Sequence, residues 1–186
     1  VQDAALVLQA IAGHDLHDAS SLSQPVGNYS LAVQQADTPP RLGVLPDFFR
    51  DHADAETQQH TAATVERLTR AGASVREVSL PPSYATVLAA HRILMKVEAA
   101  AFHADMFRTQ REQYGPRLRE TIEMGLVIPA VDYLRAQRLR RLFQQEIPQM
   151  FQDVDILVTP STPTPAPGDL GTTGDARFQS PWTHAG

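Results

Sequence analysis

The chain has 186 residues, 42% hydrophobic and 20% charged, the make-up of one soluble globular domain or a large piece of one. It contains no cysteine, which excludes a disulfide framework, a thiolate nucleophile and cysteine-bound metal centres. A net charge of −5 argues against broad nucleic-acid or anionic-membrane binding, and the single lysine, Lys96, removes most lysine-based chemistry.

Residues 1–12 read as a helix whose only polar positions are Gln2, Asp3 and Gln9, stopped by Gly13. A helix apolar almost all round is expected to be buried on several sides. Neither this opening nor the ending Ser180-Pro181-Trp182-Thr183-His184-Ala185-Gly186 has the polar fringe of a domain terminus, so both ends are expected to be cuts through a larger fold. Residues 13–40, rich in Ser, Asp, Gln and Pro, read as a connecting excursion. Residues 41–46 make a short strand, and Asp54 can cap a helix to about residue 71, with Ala62, Val65 and Leu68 at helical spacing and Gly72 ending it. A second strand over 74–80 breaks at Pro81-Pro82, which completes a βαβ unit with a parallel strand pair. Long helical patterns follow over 84–108, 112–124 and 131–151. A last apolar strand, 155–159, runs into a proline-rich loop over 160–167. Three strands and five helices predict an α/β layer architecture. No apolar run approaches the roughly 18 residues a membrane-spanning helix needs, and a cytoplasmic protein is expected.

Several groups of residues carry candidate chemistry. His14-Asp15-Leu16-His17-Asp18 offers metal-type ligands, but without a further ligand pair it reads better as a polar turn. His91 and His103 are twelve residues apart on one helix, too far to share an ion or a proton, and fit partly buried helix histidines. Lys96 and Glu98 do not face each other, and a snorkelling surface lysine is commoner than a base. Tyr133, Gln137 and Arg140 recur at i, i+4 and i+7 and so share a helix face, with Leu139, Leu142, Phe143 and Met150 expected roughly opposite. A phenol, an amide and a guanidinium in one stripe suit a carboxylate- or carbonyl-bearing small molecule. The plainer alternative is a solvated arginine-rich face, since Arg135, Arg138 and Arg141 lie close by. Thr159 ends the last strand, where open α/β sheets bind ligands, although the loop after it also reads as a rigid connector or a polyproline II segment. Gly-x-Ser-x-Gly, His-Glu-x-x-His, P-loop and Gly-x-Gly-x-x-Gly patterns do not occur.

Six stretches, in order, resemble the amidase-signature hydrolases. They are residues 1–18, Leu42-Gly43-Val44-Leu45-Pro46, Ala71-Gly72-Ala73-Ser74-Val75 with Glu77-Val78-Ser79-Leu80-Pro81, the helix from Tyr133 to Arg140, Asp155-Ile156-Leu157-Val158-Thr159-Pro160-Ser161, and residues 178–186. The resemblance covers essentially the whole chain. It implies a partial amidase-signature fold, α/β with a mixed sheet and a βαβ unit flanked by several helices, in which residues 1–186 are the C-terminal portion of a single amidase domain.

Members of that family hydrolyse linear amides with a Ser–cis-Ser–Lys triad, in which a neutral lysine is the base and a bridging serine relays the proton. That triad belongs to a Gly/Ser-rich region which, in the family's order, precedes Val1. Lys96 is not in the catalytic lysine's context and Ser20-Ser21-Leu22-Ser23 lacks the glycines, so no catalytic residue is carried over and this chain alone is expected to be inactive. What the resemblance does carry is a substrate side: Arg140 with Tyr133 and Gln137, Thr159 at the sheet edge, and Trp182 and Thr183. It implies no cofactor and no metal. The partners implied are a small-molecule amide and the missing N-terminal part of the domain, with room for a homodimer. Two other readings stay open: the amidase component of a glutamyl/aspartyl-tRNA amidotransferase, and a non-catalytic binding domain on the same scaffold. About 150 upstream residues with a Gly/Ser-rich signature and a lysine would separate the hydrolase from the non-catalytic domain.

Overall fold

A computed structural model describes residues 1–18, 21–35 and 38–186, in two compact units, Val1–Pro39 and Pro40–Gly186. Ser20, in the serine-rich stretch that lacks the family's glycines, lies outside the described residues.

The first unit contains α1 (Gln2–Ile11) and α2 (Tyr29–Gln34). The second helix lies inside what reads as a connecting excursion. Its six residues follow Asn28, whose side chain accepts from the Leu31 N–H at 2.9 Å, a capping signal easily lost in a polar, proline-bearing stretch. Gln9 ties the two helices by accepting from the Ser30 N–H at 3.3 Å. The expectation of burial on several sides is not met within the described residues, because only Ala5 of α1 is buried and Leu6, Val7 and Ile11 are 57%, 58% and 75% exposed. The segment after α1 is a hydrogen-bonded turn, in which Asp15 accepts from the His17 N–H and Ser21 from the Asp15 N–H, both at 2.8 Å. Among the described residues, no three His, Asp or Glu side chains converge as a metal site.

The second unit is built on a three-stranded sheet of order β2-β1-β3: β1 (Arg41–Val44), β2 (Ser74–Glu77) and β3 (Ile156–Val158). Leu42 pairs with Val75 on one side and Ile156 on the other, and both pairings are parallel. These three strands therefore supply only a parallel part of the mixed sheet expected. The βαβ crossover holds two helices instead of one: α3 (Asp47–His52), hidden at sequence level by its shortness, and α4 (Ala55–Arg70). Asp54 caps α4 by accepting from the Thr57 N–H at 2.8 Å. Gly72, at φ 100°, closes it with Gly72 N–H to Thr69 O and Ala73 N–H to Leu68 O, a left-handed turn that glycine makes without strain.

The helices α5 (Tyr84–Gln110), α6 (Pro116–Val127), α7 (Ala130–Met150) and the short α8 (Ser180–Ala185) follow; α6 packs on α5, while α5, α7 and α8 share a core with Leu45 and Leu157 of the sheet region. The α6 pattern starts at Pro116 rather than at residue 112, because Gly115 and a first-turn proline set the helix start there. The main core joins Leu45, Phe49, Tyr84, Val87, Phe143, Met150 and Phe178. Trp182 of α8 lies parallel to Phe49 with ring centroids 5.9 Å apart, so the aromatic cluster pulls α8 onto the core.

Candidate functional site

The Tyr133–Gln137–Arg140 stripe runs along α7 toward α8. Gln137 Nε2 donates to the Tyr133 hydroxyl at 2.8 Å. Arg140 Nε donates to the His184 carbonyl at 2.9 Å, and one turn on Gln144 Nε2 donates to the Ala185 carbonyl at 2.7 Å. The stripe therefore holds α8 at its C-terminal end, where helix carbonyls lack intrahelical partners. All three residues are half-buried and border the buried side chains Ala136 and Phe143, while Leu142 is exposed. This corrects the expected division of the helix: the stripe flanks the buried face and is not opposite to it.

A second layer of polar groups comes from α5. Glu98 Oε1 lies 4.0 Å from Arg140 Nη1, a loose ion pair with Arg140 largely covered and Glu98 half-exposed. His91 meets the ring of His184 edge-to-face, centroids 5.9 Å apart. His184 is 1% exposed and neither ring nitrogen has a hydrogen-bond partner. Burial pushes its pKa down to about 4, helped by His91 and by the Arg140 charge. Burial and Arg140 also lower His91, partly opposed by Glu98. At neutral pH both rings are therefore uncharged and Arg140 is the cation of this junction.

The other sequence candidates separate. Trp182 points into the aromatic core, and Thr183 Oγ1 donates back to the Gln179 carbonyl at 3.3 Å inside α8. Both share α8 with His184, but no hydrogen bond among the described residues joins either side chain to Arg140. Thr159 follows β3 between Val158 and Pro160, which line an apolar cavity of about 490 Å³ beneath α4. No hydrogen bond among the described residues joins Thr159 to the Arg140 group. His103 accepts or shares a proton with the Tyr114 hydroxyl at 3.1 Å, the local satisfaction expected of it. Lys96 Nζ lies 3.3 Å from Met124 Sδ rather than beside a serine.

Sequence reasoning missed His184, Gln144 and the pairing of Glu98 with Arg140. Gln144 extends the i, i+4, i+7 series by one more turn and was within reach of that pattern. His184 had no such signal, because its burial comes from α8 docking between α5 and α7. Chemically, the junction can orient a carboxylate or amide carbonyl through the remaining guanidinium N–H groups and the Gln137 amide.

This chain belongs to the amidase family, whose family model, described as Amidase, matches residues 1–177. It is 36% identical over 166 residues to an amidase of Pseudomonas putida, covering 89% of this chain and 35% of that protein. It is 34% identical to a glutamyl-tRNA(Gln) amidotransferase subunit of Acidobacterium capsulatum, covering 89% of this chain and 40% of that one. Among solved structures, a vestigial protein complex described as revealing the origins of an s-triazine catabolic enzyme aligns with a TM-score of 0.76 at 29% identity, over 92% of this chain and 36% of the other. A crystal structure of an amidase aligns at 0.68 and 29% identity, over 80% of this chain and 37% of the other. The 6-aminohexanoate cyclic dimer hydrolase shares the fold, with a TM-score of 0.74 at 16% identity. The chain thus spans between about a third and two-fifths of the curated relatives named here. No helix of the described residues is long and apolar enough to cross a membrane.

Proposed function

We propose that this chain is the C-terminal portion of an amidase domain that hydrolyses linear carboxylic amides to an acid and ammonia or an amine. In this reading it supplies scaffold and a substrate-facing wall, while the nucleophile, bridging serine and lysine base come from sequence outside it. The observation that carries the proposal is the Arg140 junction. A half-buried guanidinium is held at Nε by the His184 carbonyl, which fixes its plane, with Nη1 4.0 Å from the Glu98 carboxylate and Nη2 left to meet a substrate oxygen. Two uncharged imidazoles and the Gln137–Tyr133 pair around it add no competing charge at neutral pH. Trp182, Thr183 and Thr159 are assigned to the same wall by their positions in the family's order. A fixed cation of this kind orients the amide without reacting with it, which lowers the entropy cost of attack by a nucleophile supplied elsewhere.

The relatives include amidotransferase subunits as well as amidases, and this supports a second reading in which the parent releases ammonia within a larger assembly. The same wall would serve either reaction, since both begin by opening a carboxamide.

Arg140→Ala in the amide-hydrolysing parent is expected to raise KM by about tenfold to a hundredfold, with a smaller change in kcat. Arg140→Lys should restore only part of the affinity, because an ammonium cannot reproduce the fork. Steady-state kinetics with a linear amide, alongside urea unfolding of each variant, checks this. An unchanged KM in a folded Arg140→Ala protein would remove Arg140 from the substrate wall.

A further inference from the structure

A polar cavity of about 330 Å³ opens between α3, α5 and the start of α8, apart from the Arg140 junction but sharing His91 with it. Its titratable lining is His52 from α3, His91 and Arg92 from α5, and Asp175 and Arg177 from the 3-10 turn before α8. The one acid among these is already satisfied. Asp175 Oδ1 accepts from the Arg177 N–H at 2.8 Å and Oδ2 pairs with Arg177 Nε at 2.5 Å. Among the described residues, no hydrogen bond or ion pair engages the terminal Nη groups of Arg177. Arg92 is exposed and, among the described residues, has neither an acidic partner nor a hydrogen bond. His52 is fixed by its Nδ1 contact to the Phe48 carbonyl at 2.8 Å and by stacking on the Phe48 ring at 4.3 Å, so Nε2 is its free edge. In a chain with a net charge of −5, an unpaired arginine and a half-committed arginine line one concavity.

We propose that this cavity binds a small molecule through a carboxylate, with Arg92 and Arg177 as the charged contacts. Guanidinium groups pair with a carboxylate in a planar, two-point fashion, and the cavity is large enough for a compact organic acid rather than a lone ion. A carboxylate here can belong to the amide substrate, which rests on the amidase reading, or to a separate acid that binds beside it.

The test uses succinate as probe and succinamide as its neutral counterpart, titrated into the amide-hydrolysing parent protein by calorimetry. Succinate should bind and succinamide should bind at least tenfold more weakly, with the succinate affinity falling as salt is raised. Arg92→Gln should weaken succinate binding at least tenfold, as should Arg177→Gln, while Arg138→Gln, an exposed arginine of α7 outside the cavity, should leave it unchanged. Because Arg92 has no partner to lose, its variant is expected to keep wild-type stability. Failure of succinate to bind, or equal weakening by Arg138→Gln, overturns the proposal. Kinetics then assign the source: a KM effect of Arg92→Gln confined to succinamate, and absent for succinamide, places the carboxylate on the substrate. Succinate binding lost in Arg92→Gln with both KM values unchanged places it on a separate acid. Succinate binding in a protein that cleaves no amide would keep the site and refute the amidase reading instead.

Discussion

Replacing Gly125 by alanine is expected to destabilise the protein by about 3 kcal/mol or more, although the same change in an open helix would stabilise it by about 1 kcal/mol. A Cβ on Gly125 would collide with the Lys96 carbonyl oxygen and sit 2.7 Å from its carbon and 2.8 Å from Ala100 Cβ. Two of these atoms are main chain of α5, fixed by its own helical hydrogen bonds, so no side chain can swing aside. The helices must part, and Ile122, fully buried on α6, would lose its packing against Ala100 and Phe107. Urea or thermal unfolding of Gly125→Ala measures the effect. A variant as stable as the parent, or more stable, would mean that α5 and α6 do not approach as described.

Acid should loosen the α8 junction well before it protonates the surface carboxylates. His184 has a folded pKa of about 4 against an ordinary value of 6.5, so the unfolded chain binds the proton more readily than the folded one between those limits. Its contribution to stability is therefore complete above pH 6.5 and is lost as pH falls toward 4, with a slope of at most about 1.4 kcal/mol per pH unit. His91, lowered in the same direction, adds to the loss. Asp155, held at about 2 by Arg41, loses stability in the same direction but in a lower window: what it gives is present above its ordinary 3.8 and declines only below that. The two windows thus separate on the pH axis. Trp182 is the single tryptophan and stacks on Phe49 from α8, so its fluorescence reports the docking of the helix that carries His184. The unfolding midpoint followed at Trp182 should drop between pH 6.5 and 4.5. His184→Leu should flatten that drop, since it also removes two buried nitrogens that have no partner. Equal stability at pH 7 and 5, or an unaltered slope in His184→Leu, would contradict this account of the buried ring.

The regular elements were legible where the chemistry is local. Asp54 and Gly72 mark the two ends of α4 through a cap and a left-handed turn, and the apolar runs at residues 41–46, 74–80 and 155–159 each contain a strand. The short helices were not, because six residues of α2, α3 or α8 carry too little periodicity to stand out from a loop. The face of α7 was misjudged for a related reason. Tyr133, Gln137 and Arg140 are polar and Leu142 is apolar, yet contact with α5 and α8 covers the first three and leaves Leu142 exposed. Spacing identifies which residues share a stripe, whereas the neighbour that covers it is a tertiary fact. The same holds for His184, whose neighbours are forty and ninety residues away in sequence, roughly the spans a local pattern cannot reach.

The proposed function puts a substrate wall in this chain and the triad outside it. Hydrolysis of linear amides by the isolated 186-residue chain tests it most directly, with Trp182 fluorescence verifying that α8 is docked. Ammonia or amine release no faster than the uncatalysed background is expected. Turnover at enzyme-like rates, about 1 s⁻¹ or above, would contradict it and require a nucleophile and base within these residues.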